Sequence, residues 1–320
     1  MRILLVTDSY PPAPDGHAVA ARWWEQQLRE AGHEVLLSTP ARPRLWGPRP
    51  DIIFLHGYGL RAAATIALLP GVPIVSFVHR HTYKDIPQLL RTRPALVPLA
   101  TRYVYARQRR FLHYSAHIFV PSEFAARLTR AMAPQVPITV LPTGVGAAFR
   151  AAAGTATPPA HPTVLYLGRR TAEKEFVHVI NAAVHEPSWH WHAIGSPGPD
   201  DAAARAAGVV LSPNVTQGGV IHALQQASVL LFPSQIETQG LVATEALTIG
   251  VPVVAPAGSA QAEQITPGVN GEWFDPAAGP EAVCAALTRA IELGVVCPNP
   301  HLLGDNEVIA EASEIFQRLQ

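Results

Sequence analysis

The chain has 320 residues, 48% of them hydrophobic, and its 24 lysines and arginines are balanced by 24 aspartates and glutamates. That length suits two domains of ordinary size or one large one, and the neutral balance gives no global electrostatic case for nucleic acid. No run of about 18 apolar residues offers a membrane span. The two cysteines, Cys284 and Cys297, fit neither a CxxC pair nor a common zinc spacing, so they read as plain thiols of a reduced, cytoplasmic protein.

In chain order, "MRILLVTDSYPP" is a short apolar run followed at once by turn residues, which fits a buried first strand better than a signal peptide. Further strands are predicted at "EVLLST", "DIIFLH", "PIVSFV", "HIFVPS" and "ITVLPT". After the spacer "AAAGTATPPAHP" (151–162) come "TVLYLG", "WHWHAIG", "GVVLSP", "SVLLFPS" and "PVVAP". Helices are predicted at 17–31, 60–69, 95–115, 122–132, 174–185, 218–226, 240–249 and 279–293, with a final one at 305–320. Runs apolar on both faces, separated by helices, mark parallel strands. The expectation is an α/β protein with two Rossmann-like domains facing each other across a cleft. They cover 1–150 and 163–304, with 151–162 as an exposed linker and 305–320 packing back toward the first domain.

Ligands of such sheets bind at the carboxyl ends of the strands, so the residues just after each strand matter most. "HGYGLRA" fits GxGxxA, a dinucleotide fingerprint, but it follows the third strand and lacks the expected ribose-binding acid, which argues against nicotinamide. In "YLGRRTAEKEF", Arg169 and Lys174 straddle a strand-to-helix turn. They either converge on one anion there or pair with Glu173 and Glu175. In "PSQIETQGLVATEALTIG", Thr238 is the expected cap of a helix beginning near Gly240, and Gly250 its left-handed end. Backbone N–H groups of Gln239, Gly240 and Leu241 would then point at a ligand. Glu237 would stand at the mouth, where a carboxylate accepts sugar hydroxyls. Glu245 lies deeper among apolar neighbours, and a buried carboxylate there needs a partner or a job.

Most of the fourteen histidines read as structural. His79 ends a strand, and His81 is on the same side of an extended chain; His56 also ends a strand, where packing is the plainer role. Asp200 and Asp201 are adjacent in an apparent loop, and there is no DxD motif for a metal. The segment 91–114 interleaves Arg91, Arg93, Arg102, Arg107, Arg109 and Arg110 with Leu, Val, Tyr and Phe. It is either an interfacial element for anionic lipid or an amphipathic helix with a solvated arginine face.

Taken in order, "YPPAPDGHA", "AGHEV", "PIVSFVHRHTY", "VPSEF", "VLPTGV", "LYLGRRTAEKE", the pair Glu237/Glu245 and "GVPVVAPAGSAQAEQITPGVNGEWF" resemble the retaining glycosyltransferases of family 4, which have the GT-B fold. The resemblance spans essentially the whole chain. It implies a C-terminal domain that holds a nucleotide-diphosphate sugar and an N-terminal domain that holds a hydroxyl acceptor, either a lipid or a small metabolite or glycan. Glu237 would hold the donor sugar, Glu245 the nucleotide ribose, and Arg169 with Lys174 the diphosphate. His79 matches the cleft histidine, with His81 as the alternative; His17 and Tyr83 are further acceptor-side candidates. Transfer would be metal-independent, without a cofactor, and UDP-glucose is the first donor expected. Where the family pairs two glycines in the first loop, this chain has Asp15-Gly16-His17, so close phosphate approach there rests on Gly16; Thr143 stands for the usual asparagine. "ETQG", "PTGV" and the region of Tyr83 and Asp85 are similar to the branch that glucosylates diacylglycerol. The rivals are a sugar-nucleotide epimerase or hydrolase on the same fold and a non-catalytic sugar-nucleotide binding module. The expected location is the cytoplasm, with attachment to an anionic membrane through 91–114 left open, as is the oligomeric state.

Overall fold

The computed structural model of the chain describes residues 1–13, 15–44, 47–90, 92–297 and 305–320. Arg91 and the side chain of Asp85, both singled out above, lie outside the described residues. The chain divides into two compact units, one of Met1–Gly144 with the C-terminal helix, the other beginning at Val145.

The first unit runs β1 (Arg2–Thr7), α1 (Gly16–Glu30), β2 (Glu34–Ser38), β3 (Ile52–His56), α2 (Leu60–Leu68) and β4 (Ile74–Phe77). It continues with α3 (Ile86–Leu89), α4 (Val97–His113), β5 (His117–Val120), α5 (Glu123–Met132) and β6 (Ile138–Val140). All neighbouring strands are parallel, in the order β2-β1-β3-β4-β5-β6. Successive side chains of a strand point to opposite faces, and each face is buried. Ile3 and Leu5 of β1 join Phe54, Phe77 and Phe119 against Trp23, Trp24 and Leu28 of α1, whereas Leu4 and Val6 join Ile53, Leu55 and Ala62.

The second unit runs α6 (Ala147–Ala151), β7 (Thr163–Leu167), α7 (Val177–His185), β8 (His190–Ile194), α8 (Asp201–Ala206) and β9 (Val209–Ser212). Then come α9 (Gln217–Gln225), β10 (Val229–Leu231), α10 (Leu241–Ile249), β11 (Val253–Pro256), β12 (Gly271–Phe274) and α11 (Pro280–Glu292). Its parallel sheet is ordered β12-β11-β10-β7-β8-β9. The chain's last helix, α12 (Asp305–Arg318), belongs to the first unit, where Val308, Ile309, Ala312, Ile315 and Phe316 complete the core around Phe54 and Phe119.

Several elements depart from the sequence reading. The strand β12, "GEWF", went unread because Gly271 and Glu272 break its apolar run. Gly271 is required there, since a Cβ would stand 2.0 Å from the Val253 carbonyl oxygen, and Glu272 is held by Arg289 at 3.2 Å. The short helices α6 and α8 were also missed, and α7 begins at Val177, after a 3-10 turn at Ala172–Lys174. The spacer is not free along its length. Gly154 and Ala156 donate backbone hydrogen bonds to the carbonyls of Thr248 and Ile249 at the end of α10, and Thr157 donates to that of Gln225. Those contacts attach its first half to the second unit.

Candidate functional site

In each sheet the strand order reverses direction once, between β1 and β3 in the first unit and between β7 and β10 in the second. A crevice opens outside the carboxyl ends at such a switch point.

In the second unit that crevice gathers the predicted charges. Arg169 and Lys174 follow β7; Glu237 follows β10. Lys174 Nζ lies 2.5 Å from Glu237 Oε1, with both side chains largely buried. Arg169 pairs with Glu173 at 2.6 Å and stays half exposed, as in the ion-pair reading, whereas Lys174 reaches across to Glu237, a partner that neither reading named. Glu175 instead accepts from Gln235. The backbone at Arg169 is pinned by the Tyr166 hydroxyl, which donates to the Arg169 carbonyl at 2.6 Å.

The second arginine of "GRR" has a different task. Arg170 is buried, binds Asp201 at 2.8 and 3.0 Å, and donates to the carbonyls of Gly195 and Ser212, tying together the ends of β7, β8 and β9. The Arg170 hydrogen bond holds the Asp201 carboxyl below its ordinary range. The expected loop at Asp200 and Asp201 is thus the start of α8, with Asp201 committed to an ion pair.

The glutamate helix α10 is closed by Gly250 in the left-handed region at φ 103°, as its position implied. Its start differs from expectation: Thr238 does not cap it. Gly240 is the N-cap residue, at φ +81°, and no side chain caps the helix. A side chain at Gly240 would meet Phe232 at 2.8 Å and Gln261 at 2.9 Å, so sterics as well as φ require glycine. Buried Gln261 and Gln264 hold this loop from below: Gln264 donates to the Gln239 carbonyl at 2.7 Å and accepts from Thr244, and Gln261 donates to the Ser234 carbonyl. Neither glutamine was anticipated, although both lie in the stretch "GVPVVAPAGSAQAEQITPGVNGEWF" that carries part of the family resemblance. Gln239 is buried and Leu241 opens the helix. Glu245 is part-buried among apolar residues, and burial pushes its carboxyl up to about 8.

The first unit holds a separate cavity of about 300 Å³ at its own switch point. Its walls include Asp8 after β1, His56 at the end of β3 with Gly57–Gly59 behind it, His79 after β4, and Arg107 and Gln108 of α4. His17 stacks on His79 with ring centroids 4.4 Å apart, and His79 Nε2 is 2.7 Å from His56 Nδ1. His81 and Tyr83 are not among the residues lining it. Buried His81 bonds Thr129 Oγ1 at 3.1 Å, burial brings it down to about 4, and Tyr83 packs edge-on against Tyr105. Gly16 is the first residue of α1, whose N-terminus is capped by Asp15, the carboxylate accepting from Ala18 N at 2.9 Å. The glycines of "HGYG" serve Asp8: the Gly59 N–H donates to its carboxylate at 3.0 Å, and a Cβ on Gly57 would stand 2.2 Å from it. Asp8 and Gln108 escaped the sequence reading because nothing local marks them, and Arg107 was read only as part of the basic segment 91–114; folding brings the three together.

The two units, each built on a parallel six-stranded sheet, give the chain the GT-B fold. A family model described as glycosyl transferases group 1 matches residues 151–306, and one described as glycosyl transferase 4-like domain matches residues 41–144. The chain belongs to these family 4-like glycosyltransferases. Among solved structures it is similar to the sucrose-phosphate synthase of Thermosynechococcus elongatus, at 17% identity and TM-score 0.78, covering 100% of this chain and 99% of that one. It is also similar to Anabaena HepE in complex with UDP-glucose, at 15% identity and TM-score 0.66, covering 100% and 98%. A third is WaaG, a glycosyltransferase involved in lipopolysaccharide biosynthesis, at 15% identity and TM-score 0.64, covering 99% and 95%. No curated protein is similar enough to the chain to match it. Among the described residues, no helix is long and apolar enough to cross a membrane.

Proposed function

We propose that the protein is a retaining glycosyltransferase that takes its sugar from a nucleotide-diphosphate sugar, with UDP-glucose the first choice, and places it on a hydroxyl acceptor. The second unit holds the donor and the first holds the acceptor. The observation that carries this reading is the Lys174–Glu237 pair at the switch point of the second sheet, where one cation and one carboxylate stand together in the crevice. Lys174 and Arg169 take the diphosphate, and Glu237 takes sugar hydroxyls as Lys174 turns to the phosphate. Glu245 takes the ribose. UDP-glucose in the HepE complex supports the choice of donor.

In the reaction the acceptor oxygen attacks the anomeric carbon on the face from which the diphosphate leaves. The bond from that carbon to the phosphate oxygen breaks as the glycosidic bond forms, and the acceptor proton passes to a leaving phosphate oxygen. Developing charge on the diphosphate is met by the two protein cations, with no metal required.

The acceptor side is proposed to work at an anionic lipid surface. Residues Leu99 and Tyr103 of α4 are 71% and 66% exposed, beside exposed Arg102, Arg109 and Arg110, an apolar-and-basic face that suits lipid headgroups.

The test is transfer of labelled glucose from UDP-glucose to extracted lipids and to a panel of sugars and polyols, with inversion or retention read by NMR. Glycoside of retained configuration is expected. Free sugar or an epimerised nucleotide as the sole product would overturn the reading.

A further inference from the structure

We infer that His56 is a positioning residue that fixes the tautomer of His79, so that His79 carries its proton on Nδ1 and serves as a neutral hydrogen-bond donor. This rests on the proposed transferase reading only for the use made of that donor.

His56 is fully buried at the end of β3. Phe77 stacks on its ring, while Phe54 and Trp24 meet it edge-on at 4.3 and 6.4 Å between centroids. Its Nδ1 lies 2.7 Å from His79 Nε2, and among the described residues its own Nε2 has no hydrogen-bond partner. A neutral imidazole has a single ring proton, so the short contact admits two arrangements. With the proton on His56 Nε2, a buried N–H would point into aromatic rings with no acceptor. With the proton on His56 Nδ1, only a bare lone pair is left there. Orphaned buried donors are the rarer case, so His56 Nδ1 donates and His79 Nε2 accepts.

Burial, followed by the neighbouring His17, drives both His56 and His79 well below the ordinary histidine value. Burial also lowers His17, which stacks on His79. A neutral His79 that accepts at Nε2 must hold its proton at Nδ1. His79 lines the cavity of the first unit, so what it offers a substrate oxygen is a donor. Its basic nitrogen is committed to His56 and is not available to deprotonate an acceptor. That agrees with a reaction in which the leaving phosphate, rather than a histidine, takes the acceptor proton.

Nitrogen-15 NMR of histidine-labelled protein without ligand reads the tautomer directly, since protonated and bare ring nitrogens resonate far apart. The His79 signals are those that vanish in His79→Phe. The expected result is Nδ1–H for His79 in the wild type, conversion to Nε2–H in His56→Phe, and return to Nδ1–H in His56→Asn, whose amide restores a donor near the lost Nδ1. Turnover should fall on the order of tenfold or more in His56→Phe and recover in His56→Asn, with the KM for donor little changed. A wild-type His79 protonated on Nε2 or on both nitrogens would overturn the inference, as would an unchanged tautomer in His56→Phe. The spectra need no substrate, so a protein that transfers no sugar still decides the question. Conversely, a correct tautomer with no transfer would count against the enzymatic reading alone.

Discussion

Replacing Glu245 with glutamine should make the empty protein more stable at neutral pH while weakening its hold on a nucleotide sugar. Burial raises this carboxyl from 4.5 to about 8, whereas the unfolded chain titrates at the lower value. Between those limits the folded state binds the proton more tightly, so stability is greatest below the lower limit, declines as pH rises through the window, and is lowest above about 8. At pH 7 a shift of this size corresponds to about 3 kcal/mol. The side chain is only part-buried, so solvent screening reduces the cost to roughly 1–3 kcal/mol. Glutamine keeps the shape and removes the charge. In a unit of this size each kcal/mol moves Tm by about 2–4 °C, so differential scanning calorimetry resolves the effect. The variant should melt above the wild type at pH 8, and the gap should close toward pH 5. A gap that ignores pH, or a variant that melts lower at pH 8, would refute the burial argument. The same carboxylate is the proposed ribose ligand, and hydroxyl donors favour its charged form. Donor affinity should therefore rise between pH 6 and 8 in the wild type, with about one proton released on binding at neutral pH. Titration calorimetry in two buffers of different ionisation enthalpy measures that proton, and Glu245→Gln should abolish it.

Lys174→Ala should lower kcat on the order of 100-fold, read in the transfer assay; near-wild-type turnover would remove Lys174 from the diphosphate site. Asp201→Ala leaves the Arg170 guanidinium buried without its carboxylate and should cost about 3 kcal/mol, measured by urea denaturation. Charge reversal of Arg102, Arg109 and Arg110 should abolish sedimentation with anionic vesicles while leaving UDP-glucose affinity intact. Arg107 is kept out of that variant because it lines the first cavity and donates to the Tyr58 carbonyl at 2.7 Å.

The sheet centres were legible because a strand buried on both faces is apolar along nearly its whole length, as β3, β10 and β11 show. β12 breaks that pattern. It lies at the sheet edge, where close approach to β11 requires Gly271 and Arg289 pairs with Glu272, and its sequence therefore resembles a turn. The charged residues of the donor crevice were legible for a related reason: Arg169, Lys174 and Glu237 lie in the segments that leave β7 and β10, and the switch-point rule applies to position rather than to shape. What could not be read was direction. Arg169 and Arg170 are adjacent and chemically identical, yet the first stays half exposed beside Glu173 while the second is buried on Asp201. That choice is made by Asp201 and by the Gly195 and Ser212 carbonyls, residues remote in sequence and brought near only by the parallel pairing of β7, β8 and β9. The histidines repeat the lesson. His56 looked like packing because it ends an apolar strand, and it is indeed packed. Its Nδ1 nevertheless faces His79 at 2.7 Å, because β3 and β4 are neighbours in the sheet and both end at the same level. A side chain can therefore belong to the core by burial and to the site by one polar atom, and only the register between strands distinguishes that case from ordinary packing.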